Sequence, residues 1–267
     1  ARGVAALDAR LMLGRLLGRT ATQLIAGDDE RLGSDASARW ADWLARRAGG
    51  EPLAYLLGEK EFHGLRLEVT ADVLVPRPET ELLVDWAGEL LAGSGEAAAV
   101  LDLGTGSGAI ALAVKHARPA ATVTAVDLSP AALAIARANA ARLALAVEFV
   151  EGSWWQGLGG LRYDLVLANP PYVRDGDPAL ETLRHEPRLA LASGDDGLTA
   201  LREIASGAPR HLQPGGWLLV EHGYDQAEPV RNLLAQAGLE AVETRRDLAG
   251  HARATGGRCG PASRLSR

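Results

Sequence analysis

The stretch Ala98-Ala99-Val100-Leu101-Asp102-Leu103-Gly104-Thr105-Gly106-Ser107-Gly108 joins a short apolar run to a loop in which every second residue is glycine. A short apolar run that ends at such a loop is typical of a buried strand. From Ala98 onward, similar apolar runs alternate with segments whose apolar residues have helical spacing. This alternation predicts βαβ units and a mostly parallel sheet with helices packed on it.

The number and position of the elements follow from the same alternation. Seven strands are expected near 99–103, 122–127, 147–151, 163–168, 216–221, 240–246 and 252–258. Helices are expected near 107–117, 130–142, 197–211 and 225–237. Ligands of open parallel sheets bind beyond the carboxyl ends of the strands, so we expect the functional site at that edge.

The first 57 residues have a different pattern, with three or four short helices. Thr20 and Gln23 fit a capping box, Ser34 is placed to cap a third helix, and Pro52 suits the first turn of another. We predict a helical substrate-docking domain over 1–57 and a β-hairpin linker over 58–76, with a break at His63-Gly64. The main α/β domain is then expected over 77–267, beginning with a helix after Pro78.

The glycine-rich loop predicts a site for a nucleotide-like cofactor. Its pattern, Gly104-x-Gly106-x-Gly108, differs from the G-x-G-x-x-G of dinucleotide-binding turns. Glycine can take positive φ and lets the backbone approach a ligand closely. Asp102 could receive an ammonium group, and Asp127, which ends the next apolar run, suits the two hydroxyls of a ribose. An acidic residue there serves NAD and S-adenosylmethionine alike, so these residues leave both cofactors open.

Two tryptophans follow the third predicted strand, in Gly152-Ser153-Trp154-Trp155. One of the indoles could border an adenine ring. The competing interpretation is core packing, which is stronger for Trp155 than for Trp154.

The segment Asn169-Pro170-Pro171-Tyr172 follows another apolar run. The NH2 of an amide or an adenine is a poor nucleophile because its lone pair is delocalised, so a site must orient it and stabilise developing charge. The Asn169 side-chain oxygen and the Pro170 carbonyl can accept its two N–H groups, the prolines stiffen the segment, and Tyr172 can stack on the planar group. An ordinary turn after a strand is the alternative. Together with the glycine loop, the segment predicts methyl transfer from S-adenosylmethionine to such a nitrogen.

Each of these residues has a predicted role. We place Asn169, Pro170 and Tyr172 in catalysis, and Asn169, Pro170, Pro171, Tyr172 and Arg77 at the substrate. The residues predicted around the cofactor are Asp102, Gly104, Thr105, Gly106, Ser107, Gly108, Asp127, Leu128, Ser153, Trp154 and Asn169. Glu186-Pro187 and Asp195-Asp196-Gly197 could line the entrance for the substrate, but because they lie beside turns we favour the interpretation of their carboxylates as solvated loop and helix-cap residues.

Composition excludes several classes of protein. The 267 residues carry a net charge of −6, which argues against a protein built mainly to hold a phosphate backbone, so we expect no direct binding of nucleic acid. No apolar run is long enough to span a membrane, no secretory signal is visible, and we expect a cytoplasmic protein. Cys259 is the single cysteine and the six histidines are scattered, so neither an internal disulfide nor a metal site is predicted.

The chain resembles the bacterial release factor glutamine methyltransferases, the PrmC/HemK family, over nearly its whole length. The segments that carry the resemblance are Glu51-Pro52-Leu53-Ala54-Tyr55-Leu56, Arg77-Pro78-Glu79-Thr80-Glu81, the glycine loop, Asp127, Trp154, Asn169 to Tyr172, His185-Glu186-Pro187, Glu221-His222-Gly223-Tyr224 and Arg245-Arg246-Asp247-Leu248-Ala249-Gly250. The sequence departs from the family pattern after Gly250, at His251-Ala252-Arg253-Ala254.

The resemblance implies an α/β fold of the S-adenosylmethionine-dependent methyltransferase class, Rossmann-like, with a seven-stranded mostly parallel sheet, a small N-terminal helical domain and a β-hairpin linker. It implies methylation of N5 of the glutamine in the Gly-Gly-Gln motif of class 1 peptide chain release factors, with S-adenosylhomocysteine as the second product. It further implies that Gly104 to Gly108, Asp127, Trp154 and Asn169 bind the cofactor, and Asn169 to Tyr172 the glutamine. Two rival substrates share the chemistry: the glutamine of a large-subunit ribosomal protein, and adenine N6 of DNA or RNA. A third interpretation is a non-enzymatic protein that binds S-adenosylmethionine but transfers no methyl group.

Overall fold

A computed structural model of the chain describes residues 3–26, 31–92 and 97–261. Its N-terminal part contains the helices α1 (Ala6–Leu17), α2 (Ala21–Ala26), α3 (Ser34–Ala48) and α4 (Leu53–Leu57). The predicted capping box is present: the Thr20 amide donates to Gln23 Oε1 at 2.9 Å, and the Gln23 amide donates to Thr20 Oγ1 at 3.3 Å. Ser34 does not cap α3, because it is the first helical residue and extended Gly33 precedes it without a side-chain cap.

The predicted hairpin is formed by β1 (Glu59–Phe62) and β2 (Leu65–Glu68), which pair antiparallel. His63 and Gly64 make its two-residue turn with φ of 48° and 78°, the left-handed pair that matches the twist of the strands. The Tyr55 hydroxyl of α4 donates to the Val73 carbonyl at 2.6 Å. This bond connects the helical part of the chain to the segment that leads into the sheet.

A seven-stranded sheet forms the centre of the molecule. Its strands are β3 (Ala99–Leu103), β4 (Thr122–Asp127), β5 (Glu148–Glu151), β6 (Tyr163–Ala168), β7 (Leu212–Glu221), β8 (Leu239–Arg246) and β9 (Ala252–Cys259). Their order is β5-β4-β3-β6-β7-β9-β8, and β9 runs in the direction opposite to the other six strands of this sheet. The prediction of a seven-stranded, mostly parallel sheet is therefore confirmed.

Helices cover both faces of this sheet. They are α5 (Glu81–Leu91), which follows a short 3-10 helix (Pro78–Thr80), α6 (Ala109–Ala117), α7 (Pro130–Leu143), α9 (Thr199–His211) and α10 (Ala227–Gln236). The short helix α8 (Ala179–Thr182) lies in the segment between β6 and α9. Val100 packs with α5 and α6 in one cluster, whereas its neighbour Leu101 packs with α9 and α10 in the other. This alternation puts one core on each face of β3. Each fully buried leucine in these cores contributes about 1.5–3 kcal/mol to the free energy of folding.

Two boundaries and two short helices differ from the prediction for local reasons. β7 begins at Leu212 rather than near 216, and its pairing with β6 shifts register between Tyr163 and Leu165, so Pro214 and Gly215 lie inside an irregular strand instead of a turn. α6 begins at Ala109 because Gly108 has φ of 85°. The short helix α8 and the 3-10 helix Arg188–Ala190 were not predicted, since so few residues show no clear period.

The strand order brings two distant loops together. From β3 the chain proceeds to β4 and β5 on one side, and β6 then pairs with β3 on the other. Leu103 at the end of β3 is paired with Ala168 at the end of β6, so the glycine loop and Asn169 leave the sheet side by side. Such a reversal of strand order opens a crevice for ligands. Among the described residues, no helix has the length and apolar character needed to cross a membrane.

Candidate active site

A cavity of about 420 Å³ lies at the carboxyl ends of β3, β4 and β6. Eleven of the predicted site residues line it: Gly104, Thr105, Gly106, Ser107, Asp127, Leu128, Ser153, Trp154, Asn169, Pro170 and Pro171. The remaining four, Asp102, Gly108, Tyr172 and Arg77, lie outside its wall. The structure thus gathers most of the predicted cofactor residues around one space, next to the Asn-Pro-Pro segment.

The glycine loop turns sharply between β3 and α6. Gly104, Gly106 and Gly108 have φ of 73°, 56° and 85°, a region that glycine adopts without steric cost. The amides of Gly104 and Thr105 both donate to the Val126 carbonyl, at 2.8 and 3.0 Å, which anchors the loop to β4. A Cβ on Gly104 would come within 3.3 Å of Trp154 Cζ3, a close contact that would require the indole to move by a few tenths of an ångström.

Asp127 joins this loop to the next one. Its Oδ2 accepts from the Gly106 amide at 2.8 Å, and its Oδ1 accepts from the Ser129 amide at 2.9 Å. Burial raises the pKa of the Asp127 carboxyl, and these backbone amides oppose the increase. Both oxygens keep acceptor capacity beyond one bond each, so a half-buried carboxylate in the cavity wall can still accept from ligand hydroxyls.

Asp102 lies beneath the loop and is fully buried. Its Oδ2 accepts from Thr105 Oγ1 at 2.6 Å and from the Ala111 amide at 3.2 Å, which ties the loop to α6. Its Oδ1 is buried and has no hydrogen-bond partner in the described parts of the chain. Burial raises the pKa of Asp102 to about 7. The predicted contact with an ammonium group stays a prediction, because Asp102 is behind the cavity wall.

The two tryptophans have different surroundings, as the sequence predicted. Trp154 has φ of 48° and lines the cavity. Trp155 stacks on His211 with ring centroids 4.6 Å apart, and its Nε1 donates to the Glu203 carbonyl at 3.2 Å. Trp155 therefore packs against α9, and Trp154 is the indole available to border a ligand.

The Asn169 amide is held by a neighbour from the 3-10 helix. Its Nδ2 donates to Thr80 Oγ1 at 3.0 Å, and the Thr80 hydroxyl donates to Glu221 Oε2 at 2.6 Å. The Tyr172 hydroxyl donates to the other oxygen of Glu221 at 3.3 Å. Burial raises the pKa of Tyr172 above its ordinary value, so its hydroxyl keeps its proton. With Nδ2 engaged, Asn169 Oδ1 is the end of the amide that can accept from a substrate.

Arg77 makes an ion pair with Glu186 instead of pointing into the cavity. Glu186 is buried, and its other oxygen accepts from the Val75 amide at 3.0 Å. The expectation that Glu186 is a solvated loop residue is therefore wrong, because its buried carboxylate accepts from the Val75 amide and the Arg77 guanidinium and connects its loop to the segment before α5. Asp196 fits the expectation better, since it is exposed and pairs with Arg202.

Several cavity residues were missed. They come from the segment before α5, from the segment between β6 and α9 and from the start of α9, namely Asp72, Val73, Leu74, Pro76, Thr80, Pro187, Leu189, Ala190, Ala192, Ser193, Gly194, Thr199, Ala200 and Glu203. Thr80 offered a signal, because it lies in Arg77-Pro78-Glu79-Thr80-Glu81, a segment that carries the family resemblance but of which only Arg77 was predicted at the site. No group of three or more His, Cys, Asp or Glu that could hold a metal ion occurs within the described ranges.

The arrangement fits an adenosine-bearing cofactor with an amino acid arm. The glycine backbone allows close approach, Asp127 presents a carboxylate for hydroxyls, and Trp154 presents a flat apolar face. Buried Asp102 Oδ1 has no donor among the residues that the structure describes. Asn169 and the two prolines border the same space, so an acceptor nitrogen held there would be next to the cofactor.

Comparison with known proteins gives a consistent result. The family model described as "Methyltransferase small domain" matches residues 80–237, and the one described as "PrmC N-terminal domain" matches residues 1–58. A release factor glutamine methyltransferase of Bordetella pertussis is 51% identical over 258 residues, covering 96% of this chain and 95% of its own length. That of Burkholderia pseudomallei is 50% identical, covering 95% and 92%. The crystal structure of a methyltransferase from Pyrococcus furiosus shares the fold, with a TM-score of 0.58 at 20% identity over 82% of this chain and 99% of that one.

Proposed function

The chain belongs to the release factor glutamine methyltransferases, and from that premise we propose that it methylates N5 of the glutamine in the Gly-Gly-Gln motif of class 1 peptide chain release factors. The methyl donor is S-adenosylmethionine, and S-adenosylhomocysteine leaves. The observation that carries the proposal is the position of Asn169 and Pro170 in the wall of the cavity that the glycine loop and Asp127 also line.

The chemistry required of the protein is orientation of a weak nucleophile. The lone pair of an amide nitrogen is delocalised, so attack requires the nitrogen to become pyramidal. Asn169 Oδ1 and the Pro170 carbonyl accept its two N–H groups and stabilise the positive charge that develops on it. Pro170 and Pro171 fix φ and donate no hydrogen bond, which keeps this part of the wall stiff. Tyr172 stacks on the glutamine amide or supports Asn169 from behind through Glu221.

Cofactor binding is assigned to the opposite side of the cavity. Gly104, Thr105, Gly106, Ser107 and Gly108 supply backbone, and Leu128, Ser153 and Trp154 supply the remaining wall. Asp127 accepts from the ribose hydroxyls, and Asp102 receives the ammonium group directly or through water. S-adenosylmethionine supplies the electrophilic methyl group when bound. The methylated amide then loses one proton to solvent, which restores the neutral product.

Substrate docking is assigned to the helical part of the chain. We divide the protein into a docking domain over 1–57, a hairpin linker over 58–76 and a methyltransferase domain over 77–267. Leu7, Leu11 and Ile25 are exposed on α1 and α2, which gives that surface apolar anchors for a protein partner. Arg77 supports the substrate side indirectly, through Glu186. Because the substrate is a translation factor, we also propose a cytoplasmic location without direct binding of nucleic acid.

The test is peptide mass spectrometry of unmethylated release factor after incubation with the protein and S-adenosylmethionine. The expected result is a gain of one methyl group on the Gly-Gly-Gln glutamine and on no other residue. A release factor with Gln replaced by Glu in the motif is the matched control and should gain none. Methylation of a ribosomal protein or of adenine in DNA or RNA, with release factor unchanged, would contradict the proposal and identify the rival substrate.

A further inference from the structure

Four side chains form one chain of hydrogen bonds, which starts at Asn169 and Thr80 in the cavity wall and continues behind it to Glu221 and Tyr172. Asn169 Nδ2, Thr80 Oγ1, the two oxygens of Glu221 and the Tyr172 hydroxyl are joined at 3.0, 2.6 and 3.3 Å in that order. Thr80 is 3% exposed and Glu221 is 1% exposed, so water does not offer alternative partners. Of the four, only Asn169 is assigned a direct contact with the reacting nitrogen.

The direction of this chain is fixed by its acidic member. Ionised Glu221 can only accept, so the one hydrogen of the Thr80 hydroxyl is used at Glu221 Oε2. The Thr80 oxygen can then only accept a hydrogen bond from Asn169. The side-chain amide of Asn169 must therefore direct its NH2 group toward Thr80. The two ends of an asparagine amide have nearly the same shape, and such hydrogen bonds are what distinguish them. Oδ1 is therefore directed away from Thr80 and is available as an acceptor.

We propose that Glu221 is a positioning residue that, through the Thr80 hydroxyl, fixes the Asn169 amide with its oxygen toward the acceptor nitrogen. The inference rests on the proposed function for the identity of that nitrogen, but the orientation itself is a property of this chain. A flipped amide would present N–H groups to the N–H groups of the substrate, and methyl transfer would fail.

The proposal includes a dependence on protonation. A protonated Glu221 can donate to Thr80, which frees the Thr80 hydrogen for Asn169 Oδ1 and removes the preference for one orientation. Burial raises the pKa of Glu221 to about 7, while Thr80, Arg253 on β9 and Tyr172 oppose the increase and Glu79 on the 3-10 helix adds to it. The orientation should therefore be lost as the pH falls through the pKa of Glu221.

The orientation can be measured without turnover. The chain has three asparagines, Asn139, Asn169 and Asn232, so labelling with ¹⁵N-asparagine gives three side-chain NH2 groups in an NMR spectrum. Asn169→Ala assigns its pair of signals, and the other two serve as internal controls. The Asn169 signals should titrate with the pKa of Glu221, and Glu221→Gln should abolish this titration. Thr80→Val should shift the Asn169 signals, and Thr80→Ser should restore them.

Kinetics provides the second readout. Thr80→Val should lower kcat by about 10-fold or more, with the KM for S-adenosylmethionine little changed, because the lost interaction acts in the transition state. Thr80→Ser should recover most of the rate. Thr124→Val is the matched control: Thr124 is equally buried, and its hydroxyl in β4 donates to Glu148 Oε2 of β5. In the Asn169→Ala background, Thr80→Val should cause no further loss, since the amide that it orients is gone.

The outcomes separate the two proposals. If neither Glu221→Gln nor Thr80→Val changes the Asn169 signals or their titration, the inference is wrong, whatever the substrate is. An equal loss of rate from Thr80→Val with and without Asn169 would overturn it as well, because the role would then be structural. Failure of the wild-type protein to methylate release factor, with the NMR result as expected, would contradict the proposed function and leave the orientation established.

Discussion

At the scale of single residues, the site depends on carboxyl groups that the fold keeps out of water. Asp102 and Glu221 are both buried, and burial raises the pKa of each to about 7. Each is held by a threonine hydroxyl at 2.6 Å, Asp102 by Thr105 and Glu221 by Thr80. Both carboxylates reduce the stability of the folded chain when ionised, and they are retained at the two sides of the cavity where a fixed acceptor is needed.

The pKa of Asp102 predicts how stability varies with pH. Its pKa is about 7 in the folded chain and near the ordinary 3.8 when unfolded, so the unfolded state releases its proton first and stability falls as the pH rises between these values. From pH 4 to pH 8, Asp102→Asn should lose less unfolding free energy than the wild type, by roughly 2–4 kcal/mol. Urea denaturation of the cofactor-free protein measures this difference.

The matched control for that experiment is Asp195→Asn, at an exposed carboxylate. Its pH dependence should follow the wild type. The titration of Glu221 contributes equally to the pH dependence of stability in the wild type and in both variants, so it cancels from the comparison. If Asp102→Asn and the wild type lose the same unfolding free energy between pH 4 and pH 8, ionisation of buried Asp102 does not destabilise the folded chain.

Residues whose chemistry depends on near neighbours in the sequence were predictable. Asn169 is followed by its two prolines, and Asp127 ends a strand, so both could be placed from pattern alone. The partners of Asn169 could not, because Thr80 and Glu221 are 141 residues apart and only the fold brings them into contact. Arg77 shows the same limit: its ion pair with Glu186 joins residues 109 apart.

At the scale of elements, the loop between β3 and α6 combines backbone conformation with close packing. Gly104 is in the left-handed region and directly faces the ring of Trp154. The alternation of apolar runs placed this loop and all seven strands, since the period of a buried strand is a local property. It did not give the start of β7, because the irregular pairing there depends on Tyr163 and Leu165 of β6.

Gly104→Ala should combine two effects that can be separated. Positive φ costs about 1–2 kcal/mol for a residue with a Cβ. Displacement of Trp154 should further weaken S-adenosylmethionine binding by about tenfold, or about 1.4 kcal/mol. Gly238→Ala is the matched control, because Gly238 has φ of 85° and a Cβ added there would meet no atom within 4 Å. It should lose similar stability and bind cofactor normally in calorimetry; equal cofactor affinity in both variants would refute the role given to Trp154.

At the scale of the whole molecule, the helical part of the chain contacts the larger part through an apolar cluster, in which Ala54 of α4 packs with Val73 and Ile135, and through a few hydrogen bonds. Tyr55 bonds to Val73, and Gly49 at the end of α3 accepts hydrogen bonds from Arg184 and His185. The segment that follows these two residues contains Pro187 and Leu189, which line the cavity. The N-terminal helices are thus joined directly to a segment of the cavity wall, which suits a docking role for them.

A double substitution tests that docking role. Leu7 and Leu11 are one turn apart on α1 and are 64% and 46% exposed, so replacing both by Gln leaves the core intact. The KM for intact release factor should rise by about 5-fold or more, as expected when exposed apolar anchors are lost from an interface. Turnover of a short Gly-Gly-Gln peptide should not change. Leu248→Gln, at an exposed leucine between β8 and β9, is the control and should leave both unchanged.

The central claim is that Asn169 orients the nitrogen that receives the methyl group. The most direct test is the single-turnover rate of methyl transfer to release factor by Asn169→Ala, with Asn232→Ala at an exposed position of α10 as control. We predict a loss of about 100-fold or more for Asn169→Ala, corresponding to about 2.7 kcal/mol of transition-state stabilisation, with the Kd for S-adenosylmethionine changed only a few-fold. A rate equal to that of Asn232→Ala, with cofactor bound, would contradict the account.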